Sequence, residues 1–180
     1  MLGRMTADLG TATAIDARAI GDPGKRTFQL RIIGSNRESA SLWMEKQQMQ
    51  ALSLALTQLL AQLGSKRSGS GDAAGFSEGA DHDFRVGRLS IGFDTANKTV
   101  VLHIYRIERE EDEDEPDVMV RVTEGDCWSL NSRLQDIIIS GRPLCPLCAA
   151  AMDPEGHMCV RTNGHSKQPI PEELLEDEEQ

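Results

Sequence analysis

Near the C-terminal end of the chain, Cys145 and Cys148 in CPLC are followed by His157 and Cys159 in DPEGHMC, a compact set of soft metal ligands. A segment carrying these residues is expected to fold around an ion. Thiolates and a neutral imidazole suit a filled d-shell ion of borderline softness, and three cysteines with one histidine make a closed tetrahedral set of the structural zinc type. In CPLC the two intervening residues turn the backbone so that both sulfurs face one ion, while Pro146 fixes the local φ and removes a competing donor. The stretch Asp153-Pro154-Glu155-Gly156 is turn chemistry that carries the second ligand pair back to the first. His157 and Cys159 are one residue apart, which places them on one face of an extended strand, whereas standard knuckles separate their ligands by two. Cys145, Cys148, His157 and Cys159 are therefore the expected zinc ligands, with His165 as the reserve for the fourth position. The competing readings are a redox pair and a disulfide. A redox CxxC normally opens a helix in a βαβ context, which the pattern lacks, and the N-terminus shows no signal-peptide pattern pointing to an oxidising compartment.

A chain of 180 residues can bury one good core plus a small metal-stapled module. The module needs the staple. From 143 to 164 its sizeable apolar side chains are Leu144, Leu147, Met152, Met158 and Val160, too few to offset its chain entropy. Zinc ligation, worth about 10–16 kcal/mol in small zinc peptides, is of the right size to do so.

The formal net charge of -10 is unevenly placed. Residues 1 to 110 hold fourteen Lys/Arg and twelve Asp/Glu, whereas residues 111 to 180 hold five and seventeen. The acidity comes largely from Glu111 to Glu115 with Asp117, and from the tail of Glu172, Glu173, Glu176, Asp177, Glu178 and Glu179. Both read as solvated segments that favour solubility, and the balance opposes a general electrostatic hold on nucleic acid. No apolar run reaches the length that spans a bilayer, so the expected location is the cytoplasm, with no membrane association.

Hydrophobic periodicity organises the rest. After a weakly patterned start, Asp22-Pro23-Gly24-Lys25 signals a turn, and Phe28, Leu30 and Ile32 alternate as in a half-buried strand. A second turn at Gly34-Ser35-Asn36 leads to Ala40, Leu42 and Met44, completing a hairpin. Met49, Leu52, Leu56, Leu59, Leu60 and Leu63 then fall at helical spacing and predict an amphipathic helix from about Glu45 to Leu63, ended by Gly64. The second half repeats this order. Phe84, Val86, Leu89, Ile91 and Phe93 alternate with a slip at Gly87-Arg88 that reads as a bulge. Val100, Leu102 and Ile104, and then Val118, Val120 and Val122, make two more strands. Cys127, Leu130, Leu134, Ile137 and Ile138 share a helical face, and Cys127 reads there as a buried small hydrophobe.

The expected fold class is α+β, an antiparallel sheet covered on one face by two helices, with a small C-terminal zinc-ribbon-like module. A strand-strand-strand-helix pseudo-repeat and chance recurrence of a common arrangement both account for the order. The expected organisation is an α+β domain over 10–142, made of a first half at 10–63, a flexible linker at 64–83 and a second half at 84–142. The zinc-ribbon-like module follows at 143–166 and an acidic disordered tail at 167–180.

The stretches GDPGKRTFQLRI, SLWMEKQQMQAL, FRVGRLSIGFD, GRPLCPLC and DPEGHMCVRTNG resemble an uncharacterised bacterial family, domain of unknown function 3090, over roughly residues 15 to 166. The resemblance implies no assigned activity. It does imply gene neighbours that include a kinase-like and a histidine-phosphatase-like protein, and hence a protein partner of one of these kinds. Two positions differ from the family pattern: Ala149 follows the second cysteine where glycine is common, and His165 stands where tyrosine is usual, which weakens His165 as a ligand.

Other residues suggest chemistry at first sight. His103 on a strand is a candidate base or ligand, but a catalytic histidine needs a nucleophile and an orienting partner. Glu45 to Gln48 open the first helix and offer either a solvated first turn or a polar contact surface. Arg85, Arg88, Arg106 and Arg109 are placed to meet phosphate, carboxylate or nearby cross-strand acids. Three functional classes follow. The favoured one is a non-catalytic accessory or interaction protein with a zinc module. The alternative is an enzyme acting on a phosphorylated compound or protein. A nucleic-acid-binding zinc ribbon ranks last, since the basic residues near the cysteines are only Arg142, Arg161 and Lys167, opposed by Asp153, Glu155 and the acidic tail, and the module has no aromatic residue for base stacking.

Overall fold

The computed structural model describes residues 5–22, 25–64, 75–108, 115–140, 145–148, 152, 159 and 161. The chain divides into two compact units, Met1–Gly141 and Arg142–Gln180.

The first unit is α+β, as the periodicity predicts, with six strands and two helices in the order β1 (Ala7–Ile20), β2 (Thr27–Gly34), β3 (Ser39–Met44), α1 (Lys46–Gln62), β4 (His82–Asp94), β5 (Thr99–Arg106), β6 (Val118–Thr123) and α2 (Glu124–Ser140). The sheet goes further than the expected antiparallel layer: its six strands close into a barrel in sequence order. Four seams are antiparallel, and two are parallel, β3 with β4 and β6 with β1. A helix follows β3 and carries the chain back to the same end of the sheet, so the next strand enters parallel to the last. Closure removes the free edges that an open sheet would expose.

The two longest strands make the closure possible. The first part of β1 pairs with β6 through Ala7, Asp8 and Thr11, and the remainder from Ala12 to Ile20 pairs with β2. Likewise β4 pairs with β3 up to Arg85 and with β5 from Val86 onward. Each changes neighbour at an irregularity: β1 has register shifts on both sides of Thr11, with Gly10 at φ 72°, and β4 has one between Val86 and Arg88, where the alternation slips in the sequence. A bulge adds a residue, bends the strand and increases its twist, which is how a sheet turns a barrel corner. Gly87 is required at its bend, because a Cβ there would lie 2.8 Å from the Ile107 Cα.

β1 also explains why the first twenty residues look unpatterned. Its buried side chains are Leu9, Ala12, Asp16 and Ala17, so the phase of the alternation changes along the strand, and two of the four are alanines. In β2, β3, β5 and β6 the inward residues keep a period of two, with Leu30, Ile32, Leu42, Leu102, Ile104, Val118, Val120 and Val122 all buried. They form one hydrophobic cluster with the apolar faces of the helices, Met49, Leu52, Leu56 and Leu60 of α1 and Cys127, Leu130, Leu134 and Ile137 of α2. No helix among the described residues is long and apolar enough to cross a membrane.

The pseudo-repeat is geometric. Both helices have seventeen residues and follow their strand almost directly, α1 after Glu45 and α2 after Thr123, the last residue of β6. Three residues on, Gln48 accepts the Glu45 N–H through Oε1 at 2.8 Å, while Thr123 Oγ1 accepts the Asp126 N–H at 3.2 Å. Both contacts belong to the capping-box pattern, in which the N-cap and N3 residues satisfy each other's backbone N–H groups, and at α1 the box is reciprocal. Leu30 faces Leu42 across β2 and β3 as Leu102 faces Val120 across β5 and β6. On the parallel seams Ser41 faces Asp83 as Met119 faces Asp8. Two residues along β3, on the same face, Trp43 donates its indole N–H to Asp83 at 2.8 Å, and its counterpart Arg121 on β6 pairs with Asp8 at 3.1 Å.

Of the segment 64–83, residues 64 and 75–83 are described, and the last two already belong to β4. Asp81 accepts the Ser39 N–H and hydroxyl at 2.8 and 2.9 Å, and the Phe76 ring lies 4.3 Å from the Arg31 guanidinium carbon.

Candidate metal centre

In the second unit the CPLC segment forms a turn: Cys145 enters it, Pro146 and Leu147 are exposed at its crest, and Cys148 closes it half-buried. Leu147 on that crest is one of the few large apolar side chains left in solvent among the described residues. The turn aims both sulfurs the same way, and Cys159 meets them from the later part of the segment. The three Sγ atoms all lie within 4.8 Å of one another, and those of Cys145 and Cys159 are 3.8 Å apart, with both residues buried.

This spacing is informative. A disulfide requires sulfurs about 2.05 Å apart. Two thiolates on one tetrahedral zinc, each at about 2.3 Å, stand about 3.8 Å apart. The cysteines are not joined in disulfides, and Cys145 and Cys159 stand at the second of these separations. Three such donors converging on one point can hold a metal ion. His157 and His165, the two histidines considered for the fourth position, lie outside the described residues.

The other residues that the sequence singles out have structural partners. Cys127 is fully buried on α2, and burial, with the nearby charges of Asp126 and Glu124 adding to it, pushes its thiol pKa up to about 12. It is the small hydrophobe that its helical spacing predicts. Arg85 pairs with Glu45 at 2.7 Å, with both side chains exposed, and Arg88 lies over the Tyr105 ring at 4.0 Å. Arg106 donates to the buried Asp117 at 2.9 Å and stacks on Phe84. Thus three of the four arginines meet acids or rings from neighbouring segments, and Arg109 lies outside the described residues. At the start of α1, Gln48 caps the Glu45 N–H and donates to the carbonyls of Val86 and Gly87, bracing the helix against the β4 bulge. His103 is half-buried on the outer face of β5, opposite Ser90 and Met119.

One group escapes any reading by motif. On the outer face of β1 to β3 a cleft of about 370 Å³ is lined by Arg18, Gln29, Arg31, Ser41 and Trp43, with Phe76 beside them. The available signal is weak: in β2 the outward positions 29 and 31 both carry long polar side chains, which on a strand ordinarily means a solvated face.

A family model described as Protein of unknown function (DUF3090) matches residues 8–159, which takes in the barrel and all three clustered cysteines. No curated protein and no solved structure matches the chain.

Proposed function

The chain belongs to the DUF3090 family of proteins of unknown function, and from that premise we propose that it is a zinc-binding, non-catalytic interaction protein. In this reading Cys145, Cys148 and Cys159 hold the ion, His157 supplies the fourth ligand, and the ion staples a small module that presents a protein-binding surface. The observation that carries it is the convergence of three cysteine sulfurs, with buried Cys145 and Cys159 at the sulfur separation of a shared tetrahedral ion. Three thiolates and an imidazole fill the coordination sphere, so the zinc is structural and supplies folding energy rather than a reactive water. The engagement of Arg85, Arg106 and Gln48 in pairs within the barrel supports the same view of the first unit. The partner is a protein, with a kinase-like or phosphatase-like protein as the first to try, and the setting is cytoplasmic.

Metal analysis of the purified protein tests this, comparing wild type with Cys145→Ser, His157→Ala and His165→Ala. The expected result is one zinc per chain, lost with Cys145→Ser and His157→Ala and kept in His165→Ala. A zinc that survives His157→Ala with an exchangeable water in its place would replace this reading with an enzyme acting on a phosphorylated compound, because an open position is what catalytic zinc needs. Retention of zinc in Cys145→Ser would remove the site from these residues altogether.

A further inference from the structure

The barrel is internally repeated, so each half shows what the fold requires of the other. At the outward positions of β5 and β6 the second half carries Val101, His103, Met119 and Arg121, all half-buried. By register the counterparts on β2 and β3 are Gln29, Arg31, Ser41 and Trp43. The architecture therefore accepts valine and methionine where the first half has a glutamine that is 3% exposed and a serine that is 8% exposed. Burying polar groups has a cost unless they are hydrogen-bonded, and a fold that tolerates apolar residues there does not need to bear it.

The buried polar groups are joined in a chain that runs to the cleft. Arg18 on β1 donates through Nε to Gln29 Oε1 at 2.6 Å, and the Gln29 amide nitrogen donates to the Ser41 hydroxyl. Arg31 pairs with the buried Asp16 at 2.7 Å, and its own buried Nε has no acceptor among the described residues. Arg18 differs from Arg31 in one respect: among the described residues it makes no ion pair, and its Nε bond to Gln29 leaves its two terminal nitrogens with no acceptor. Of the acids lining the cleft, Asp83 is held by the Trp43 indole N–H, and Glu78 is exposed at the rim, where solvent and salt screen it. Trp43 and Phe76 add two flat apolar surfaces to the same walls. At about 370 Å³ the space falls within the range of small-molecule sites, which combine such surfaces with a few convergent polar groups.

We propose that this cleft binds a small organic anion, its carboxylate or phosphate group held by Arg18 above the Gln29–Ser41 pair and its flat ring laid along Trp43 and Phe76. A guanidinium fork whose Nε is fixed by Gln29 presents two parallel donors, the geometry that both oxyanions accept bidentately. The site lies wholly within the first unit and stands independently of the zinc reading.

The test is a titration of the full-length protein, zinc loading unaltered, with phenyl phosphate, benzoate and inorganic phosphate. It is followed by the two tryptophan indole N–H signals in a nitrogen–proton correlation spectrum. Trp43 reports the cleft, and Trp128 on α2 serves as the internal control. Saturable movement of the Trp43 signal by phenyl phosphate or benzoate below about 10 mM, with Trp128 still, is the expected result for ligands of this size. The stronger of the two identifies the oxyanion. Arg18→Gln, on the exposed rim, is expected to weaken both at least about ten-fold while leaving the circular dichroism spectrum unchanged. Phe76→Ala is expected to weaken the ring-bearing probes alone. Absence of a Trp43 shift from either ring-bearing probe, equal binding to Arg18→Gln, or inorganic phosphate binding as tightly as phenyl phosphate would each overturn the proposal.

Discussion

Ser53 and Asn131 occupy the eighth position of two seventeen-residue helices, and the Ser53 hydroxyl donates to Asn131 Oδ1 at 2.7 Å across the helix pair. Counterpart residues that touch each other lie at the axis relating the two halves of a repeated structure. Both are buried, and both lie between apolar positions of the shared core. The small network is complete: the Asn131 amide donates to Thr57 Oγ1 at 2.9 Å, and Thr57 donates to the Ser53 carbonyl at 2.9 Å.

Because a buried polar group left without its partner bears its full desolvation cost, Asn131→Ala is expected to destabilise the barrel by about 1–3 kcal/mol, read from urea denaturation midpoints. Ser53→Ala should cost less, about 1 kcal/mol, since Asn131 keeps Thr57. The two substitutions combined should cost less than their sum, as coupled neighbours do. Strict additivity would show that the bond across the helices contributes nothing to folding.

Gly34 at the end of β2 passes so close to β1 that a Cβ there would meet the Leu9 carbonyl oxygen and come within 2.7 Å of the Leu9 Cβ. Gly34→Ala is therefore expected to lower stability by about 1–3 kcal/mol through displacement of a bulged strand. Gly92 in β4 has nothing within 4 Å of the same position, and Gly92→Ala should fall within about 0.5 kcal/mol of wild type. Thermal or urea midpoints of the pair make the comparison. Equal effects would mean that the β1–β2 approach relaxes freely.

Asp8, at the seam that closes the barrel, shows how acid should weaken the fold. Partial burial raises its pKa, but the Arg121 hydrogen bonds, the Gly10 N–H and the Arg121 charge outweigh that and hold the carboxyl below its ordinary value of 3.8. Hydrogen bonds from Ser39 to Asp81 and from Asn97 to Asp94 lower those carboxyls too. Between the folded and unfolded values the unfolded chain holds more protons, so stability rises with pH there. The contribution is fully present above the unfolded value and is lost as pH falls through the folded one. Asp8→Asn should flatten the acid limb of a plot of urea midpoint against pH below about pH 4, leaving its shape above about pH 5 unchanged. An unaltered acid limb would mean that the Arg121 pairing is not linked to folding.

The four cysteines should separate into two classes by reactivity with a thiol reagent at pH 8. Cys127, buried with its pKa pushed up to about 12, carries almost no thiolate and should react only on global unfolding. Cys145, Cys148 and Cys159 should be protected while metal is bound and react after chelation, and far-ultraviolet circular dichroism should show the barrel strands and helices retained. Release of all four thiols by chelation alone would show that the metal holds the barrel core together as well.

Much of this protein is written in local order. The two-residue period in Phe28, Leu30 and Ile32 or Val118, Val120 and Val122, the helical period in Met49 to Leu60 and in Cys127 to Ile137, the slip at Gly87 and the CPLC turn all express preferences of a few adjacent residues, and each appears where its pattern lies. Tertiary structure decided the rest. β1 has no steady alternation, because its bends at Gly10 and Ala12 exchange one neighbouring strand for another, and only those neighbours make it a strand. Barrel closure depends on the β1–β6 pairing, at whose start the Ala7 N–H donates to the Asp117 carbonyl, joining segments far apart in sequence. The cleft is equally invisible in sequence: Gln29 and Ser41 look like solvent-facing residues of a hairpin, and become buried only when Arg18 and the 76–80 segment come to lie beside them. Periodicity reports which side of an element faces the core, whereas what covers the other side is set by chain brought from far away in sequence.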